Sequence, residues 1–261
     1  MDKQNYEIVR SDSFFKVNAS IVENEIDLSS TVTMINLIDL TKIEEIRSSS
    51  VGPKPSYTVF VAKALAKSLV DFPEMNKRFY KPYGLFPRVF QEFKNVDMGI
   101  ASEVTDPKLA HVAYIGIMKD VQSKSLQEIQ QWLFDFRKTE AVAQWKIFSG
   151  IILKLPLFLS KIIIRLPVYF PSLWAKYRGG VAIISSPAKY GVDGLVAAWS
   201  APIGVSFGYV KDRVVSKNGQ IVAVPSFNLT VNFDRRIFSG AQAARFIARI
   251  SEVLEKAEFN I

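Results

Sequence analysis

The cleanest alternation of apolar and polar positions lies near the C-terminus, where Phe227, Leu229, Val231 and Phe233 interleave with Ser226, Asn228, Thr230 and Asn232. A two-residue period sends the two sets to opposite faces, so the run predicts an antiparallel strand, half-buried with one face on a core. Residues 31–39, 87–94, 96–104 and 110–118 also read as strands, and the last is apolar enough to be expected at a sheet's centre. Helical spacing takes over at Val59, Phe60, Ala62, Leu65, Leu69 and Phe72, behind Ser56 as the expected N-cap. A shorter helix is expected over 40–49, with Ile43 and Ile46 inward. Ser125 and Glu128 have the spacing of a capping box, opening a helix through Leu126, Ile129, Leu133 and Phe136. A last helix buries Phe246, Ile247, Ile250, Val253 and Leu254. Between Val51 and Pro55 the two prolines stiffen a loop, because each pushes the residue before it out of the helical region.

Composition excludes several chemistries. The apolar share of 49% is ample for a sizeable core in a chain of 261 residues. With no cysteine there are no disulfides, thiolate metal sites or cysteine nucleophiles. His111 is the single imidazole, so no metal centre is expected. The polar N-terminus carries neither a secretory signal nor a lipidation motif, which makes a cytoplasmic protein the expectation. The net charge is +8, and between Trp132 and Arg178 eight basic residues face two acidic ones, so this stretch holds six of those charges. Charge concentrated on an apolar segment, without a recognition motif, argues against nucleic acid as a partner.

The segment from Ile147 to Pro167 departs from the pattern elsewhere. Pro156 and Pro167 are expected to cut it into pieces, none of which approaches the ~20 apolar residues of a membrane-spanning helix. On a helical projection Lys154, Lys161 and Arg165 share one face. The rest of the circumference, Phe158 and Ile162 included, is Ile, Leu and Phe, and it continues into Val168, Tyr169, Phe170 and Trp174. A short helix this apolar must bury its stripe against something.

Several motifs follow one another in order along the chain. They begin with Val32-Thr33 to Asp39-Leu40-Thr41, then Ala62 to Lys67 with the exit Phe72-Pro73-Glu74-Met75-Asn76. Asn95-Val96-Asp97-Met98-Gly99-Ile100-Ala101, Lys119-Asp120 and Ser125 to Ile129 follow, then Gly179-Gly180, Ile184-Ser185-Ser186 and Gly191-Val192-Asp193. The series ends on Asn232-Phe233-Asp234-Arg235-Arg236-Ile237-Phe238-Ser239-Gly240 and an Ala-rich helix. In this order they resemble the catalytic domain of the dihydrolipoyl acyltransferases, the core enzymes of 2-oxoacid dehydrogenase complexes, from about residue 30 onward. The resemblance implies an α/β fold of the chloramphenicol acetyltransferase type, a mixed sheet flanked by helices. It also implies a homotrimer with its site between two subunits, and coenzyme A as cofactor. The expected organisation is an arm over 1–30 and an acyltransferase-like domain over 31–261, with the basic apolar helical insertion at about 141–178 and no lipoyl domain in this chain.

The last motif departs from the family's Asp-His-Arg-x-x-Asp-Gly. Arg235 stands where the family has its histidine, and Ser239 where it has aspartate or asparagine. Acyl transfer to a thiol needs a base to take the thiol's proton, and imidazole suits that work because it titrates near operating pH. A guanidinium is always protonated and offers donors without an acceptor, so Arg235 cannot be that base. It either binds an anion, such as a carboxylate or a coenzyme A phosphate, or pairs with Asp234 or another carboxylate and fills the site. His111, at the start of an expected core strand, reads as structural. Ser239 and Gln242 have capping-box spacing, so the hydroxyl is expected to serve the terminal helix. The resemblance places the hydroxyl that donates to the reaction's oxyanion at Ser185 or Ser186, with Ser186 preferred, although a serine at a strand end before Pro187 is also ordinary turn chemistry.

Two functions follow from this. One is a non-catalytic trimeric binding or scaffold protein on the acyltransferase core fold. The other is an active coenzyme A-dependent acyltransferase that does without the motif histidine, with the substrate's amine as nucleophile and Ser186 and Arg235 on the oxyanion. For residues 147–174 three surroundings remain open: a membrane surface, a long acyl chain under a lid, or protein, either its own trimer or a partner.

Overall fold

The computed structural model describes residues 30–50, 54–80, 89–103, 113–140, 150, 152 and 154–259. Strand β1 (Thr31–Asp39) leads into helix α1 (Thr41–Ser49) and the long helix α2 (Tyr57–Asp71). A short hairpin of β2 (Lys77–Tyr80) and β3 (Val89–Glu92) precedes β4 (Met98–Glu103), β5 (Ala113–Met118) and helix α3 (Leu126–Asp135). Helices α4 (Leu157–Tyr169) and α5 (Pro171–Tyr177) follow, then β6 (Ala182–Ser185) and β7 (Ile203–Phe207). The chain closes with β8 (Lys211–Lys217), β9 (Gln220–Asp234) and helix α6 (Gly240–Lys256).

Seven strands form one mixed sheet in the order β1-β9-β7-β6-β4-β5, with β8 hairpinned onto the first half of β9. The β4–β6 and β6–β7 pairs are parallel, and the other pairs of this sheet are antiparallel. Asn218 and Gly219 join β8 to β9 with φ of 53° and 79°, the positive values that a tight hairpin turn needs. Helices α2 and α6 lay their apolar stripes together on the sheet. Val59, Phe60, Leu65 and Leu69 from one, and Phe246, Ile250, Val253 and Leu254 from the other, are all buried. The Gly179–Gly180 pair has a steric reason. Gly179 sits at φ +79°, and a Cβ on Gly180 would lie 2.3 Å from the Asp97 carbonyl oxygen.

The structure alters four expectations. Strand β5 lies at the edge of the described sheet, paired only with β4. Its apolar content serves two faces: Gly116 lies under the Trp132–Phe136 stack, whereas Ile115 is 47% exposed. The polar face of β9 is covered rather than open, with Ser226, Thr230 and Asn232 all buried. Residues 192–202 cross over it: the Trp199 ring lies so close above Gly204 that a Cβ there would meet it, and Ser206 Oγ donates to Leu195 O at 2.7 Å. Ser56 is the N-cap residue of α2, but its hydroxyl makes no capping bond and its backbone N–H donates to Gln130 Oε1 at 2.8 Å. Pro167 does not end its helix. It sits in the last turn of α4, where the missing N–H forfeits a single bond, and the helix runs on to Tyr169.

An ion cluster ties α6 to α2. Arg249 holds Asp71 at 2.8 Å, Glu252 at 2.9 Å and Glu258 at 2.8 Å, and Lys67 reaches Glu258 at 3.0 Å. Hydrogen bonds from Arg249 and Lys67 hold the Glu258 carboxyl down at about 2. A depressed folded-state value means stability present above the ordinary carboxylate value of 4.5 and lost as pH falls toward 2. Thermal melts over that interval are therefore expected to show a falling midpoint, and Glu258→Gln is expected to flatten the fall. An unchanged slope in the variant would remove Glu258 from the account.

Helices α4 and α5 are fastened to the body through a buried arginine. Arg78, only 2% exposed, donates Nε to Gln91 Oε1 at 2.8 Å, and its guanidinium carbon lies 4.0 Å from the centre of the Trp174 ring. Its Nη2 points at Pro167 O at 3.5 Å, while Gln91 Nε2 donates to Pro171 O at 3.2 Å. Trp174 Nε1 donates to Gly180 O at 3.0 Å, and Lys119 Nζ to Ala175 O at 2.5 Å. Cations from the body thus meet carbonyls in the last turns of both short helices, the end at which the helix dipole favours positive charge.

Candidate functional site

Strand β9 delivers the altered motif to a turn. Its apolar residues hold it between β1 and β7 as far as Asp234, where the backbone N–H donates to Pro202 O at 2.9 Å. The Asp234 carboxylate then ends the strand by accepting the Arg236 backbone N–H at 2.9 Å, a local bond that aspartate makes readily two residues ahead. The Arg236 side chain closes on the same carboxylate, Nε to Oδ1 at 2.9 Å and Nη2 to Oδ2 at 2.6 Å. Asp234 is thereby engaged by Arg236, not by Arg235.

Arg235 takes another course. Its backbone N–H donates to Ser30 O at 2.9 Å, and its side chain is exposed with no carboxylate partner among the described residues. Phe238 is buried at 2% and anchors the turn from beneath. Ser239 caps α6: its Oγ accepts the Gln242 N–H at 3.3 Å, and Gln242 Oε1 accepts the Ser239 N–H at 3.0 Å. This capping box occupies the motif position where the family carries its aspartate or asparagine.

Ser186 lies just past the end of β6, donating its hydroxyl to Phe207 O at 2.7 Å and accepting the Ala188 N–H at 3.1 Å. Its one proton is thus given to the backbone, and serving an oxyanion would require the hydroxyl to turn. Ser185, one residue earlier, makes no such bond among the described residues. The turn beyond is pinned to β4, where Glu103 accepts from both Lys189 and Tyr190. Burial pushes the Glu103 carboxyl up, but these hydrogen bonds outweigh it and hold the group below its usual value.

One chain does not bring the serines and Arg235 together. Ser185 pairs with Ser206, which pairs with Thr230, and Arg235 lies five residues further along that strand line. At about 3.3 Å per residue, more than ~15 Å separates the two ends. An open groove of about 550 Å³, lined by Leu37, Asp39, Lys42, Val215 and Lys217, sits at the opposite end of β1 from Arg235. Among the described residues no cluster of His, Cys, Asp or Glu could hold a metal ion.

His111 lies outside the described residues, as do 1–29 and 141–149. Lys154 is exposed in a turn before α4 rather than on the helix, because the helix starts after Pro156. It therefore does not share a helical face with Lys161 and Arg165. Phe158 and Ile162 point outward, 64% and 54% exposed. Sequence reading missed Arg78 and Gln91, since nothing in a Lys-Arg-Phe run marks its arginine for burial.

A family model described as 2-oxoacid dehydrogenases acyltransferase (catalytic domain) matches residues 9–141 and 175–260. The residues between the two pieces are those of the basic apolar segment. The chain is 27% identical over 226 residues to the dihydrolipoyllysine-residue acetyltransferase component of the pyruvate dehydrogenase complex of Mycoplasma pneumoniae, covering 84% of this chain and 48% of that protein. It is 21% identical over 237 residues to the lipoamide acyltransferase component of the branched-chain alpha-keto acid dehydrogenase complex of Bacillus subtilis, covering 90% and 46%. The chain thus spans about half the length of the curated relatives it matches. In fold it is similar to the cubic core of the pyruvate dehydrogenase multienzyme complex, with a TM-score of 0.72 at 18% identity over 97% of this chain and 93% of that one. A chloramphenicol acetyltransferase shares the fold more distantly, at 0.50 and 9%, over 96% and 99%. With its motif strand, capped terminal helix and mixed sheet in place, the chain belongs to the 2-oxoacid dehydrogenase acyltransferase catalytic-domain family.

Proposed function

We propose that this chain has kept the acyltransferase core fold without the base that acyl transfer to a thiol requires, and that it works as a trimeric binding or scaffold protein. One observation carries the reading. The position of the family's histidine holds Arg235, an exposed cation left without a carboxylate among the described residues because Arg236 has taken Asp234. A permanent cation cannot accept a thiol's proton, but it can hold an anion such as a coenzyme A phosphate or a carboxylate. The separation of Ser185 and Ser186 from Arg235 within one chain favours a site completed between subunits, and light scattering is expected to return a trimer. The outward face of the segment before β6 supplies such a scaffold with an attachment surface, at a membrane or on a protein.

The rival reading, an active transferase using the substrate's own amine, draws support from the exposed Arg235 guanidinium. It is weakened by Ser186, whose proton is already given to Phe207 O. Calorimetric titration with coenzyme A and with acetyl- and long-chain acyl-coenzyme A, beside a transfer assay to dihydrolipoamide and to amines, separates the two. Binding without turnover is the expected result. Turnover by the unaltered chain would overturn the proposal, and loss of binding on Arg235→Ala would place the anion at the motif.

A further inference from the structure

We infer that α4 is an in-plane anchor by which this protein docks on the surface of an anionic phospholipid bilayer. The inference rests on reading this segment as the scaffold's attachment surface; it does not depend on the state of the acyl-transfer site.

The geometry begins with what the body of the protein leaves uncovered. Ser160, Ile164 and Pro167 form the buried side of α4, where Ser160 Oγ donates to Ile152 O at 2.7 Å and Arg78 Nη2 meets Pro167 O. Phe158, Leu159, Ile162 and Ile163 take the outward arc, at 64, 36, 54 and 36% exposure. Arg78 Nη2 meets Pro167 O in the last turn of α4, and Gln91 and Lys119 hold the carbonyls of Pro171 and Ala175 in α5. Arg165, one side chain along from Phe158 on the helical projection, is exposed at the border of the arc. Lys154 is exposed in the turn before the helix, and Lys176 and Tyr177 in the helix after it.

Charge then selects the occupant. Residues 141–178 contain six basic side chains and no acidic one. A second copy of this face offers no counter-charge, and a symmetric contact would bring like charges together. The family model leaves 142–174 unmatched, so the face is not part of what the family shares. A bilayer carrying anionic lipid offers both things the surface lacks: an apolar boundary for Phe158 and Ile162, and negative headgroups for the flanking cations. At 13 residues α4 is about 20 Å long, short of the ~30 Å hydrocarbon core, so it lies along the surface. No helix among the described residues is long and apolar enough to cross a membrane.

The test is flotation of the full chain with vesicles of phosphatidylcholine alone and of phosphatidylcholine with phosphatidylglycerol. Binding is expected to the second kind, weakening as salt is raised. Two double variants, Phe158→Asp with Ile162→Asp and Lys154→Glu with Arg165→Glu, change exposed side chains and are expected to keep the thermal midpoint. Each is expected to lower vesicle binding by about tenfold or more. No flotation of the unaltered chain with anionic vesicles overturns the inference. So does unchanged vesicle binding by the Phe158→Asp, Ile162→Asp variant; a smaller particle in light scattering would then mark the face as a contact between copies. Coenzyme A titration reads the altered motif separately, so either reading can fail alone.

Discussion

Replacing Arg78 by methionine is expected to cost about 3 kcal/mol of stability and to release α4 and α5 from the body of the protein. Methionine keeps much of the volume, so the loss comes from broken polar contacts rather than from a cavity. Gln91 Oε1 and the carbonyls of Phe79 and Pro167 lose a donor, and the face of Trp174 loses its cation. A buried acceptor left unmet costs about 1–3 kcal/mol, and a desolvated cation–π contact contributes about 2. Arg78→Lys is expected to fail as well, because one ammonium cannot reach side chain, two carbonyls and ring in the directions that a planar fork does. Hydrogen exchange should show the change first in residues 157–177, with α2 and α6 still protected. Uniform loss of protection across the chain would mean that Arg78 supports the whole fold rather than the docking of two helices.

Arg235→His carries the larger consequence for function. The unaltered chain is expected to move acetyl groups from acetyl-coenzyme A to dihydrolipoamide no faster than the uncatalysed background. The variant is expected to exceed it by at least about a hundredfold, the lower end of what a positioned general base contributes. Its rate should rise with pH through about 6.5, the ordinary imidazole value, since only neutral histidine accepts the thiol's proton. The backbone is already arranged for the exchange. The turn is held by Asp234, Phe238 and the Ser239 cap, none of which uses the Arg235 side chain. If the variant binds coenzyme A and still moves no acyl group, the missing element is more than a base. Ser239, engaged with the Gln242 N–H where the family carries its aspartate or asparagine, would be the next position to restore.

Much of this was legible in the chain, because the forces that set it act over a few residues. A two-residue period identifies β9, and an i to i+3 pair of side chains identifies the caps at Ser125 and Ser239. The replacement at Arg235 and its loss of basicity need no coordinates at all, since they follow from what a guanidinium is. The ordered motifs likewise led to the mixed sheet and the family.

The environment of each residue was not legible in the same way. Asp234 has two arginines beside it, and only the turn geometry assigns it to Arg236 and leaves Arg235 exposed. Strand β5 is apolar enough for a sheet's centre, yet it lies at the edge of the described sheet, its Gly116 covered by the Trp132–Phe136 stack. Arg78, in an unremarkable run, is buried because Trp174, ninety-six residues later, lies over it and helix ends present their carbonyls. The basic apolar segment showed its composition but not which side would be free; in the folded chain Ile164 is buried while Phe158 and Ile162 face outward. The chain by itself determined periodicity, capping and side-chain chemistry, because these depend on neighbours in sequence. Burial, ion pairing and the exposed face were decided only by the tertiary structure, because they depend on residues that folding alone brings into contact.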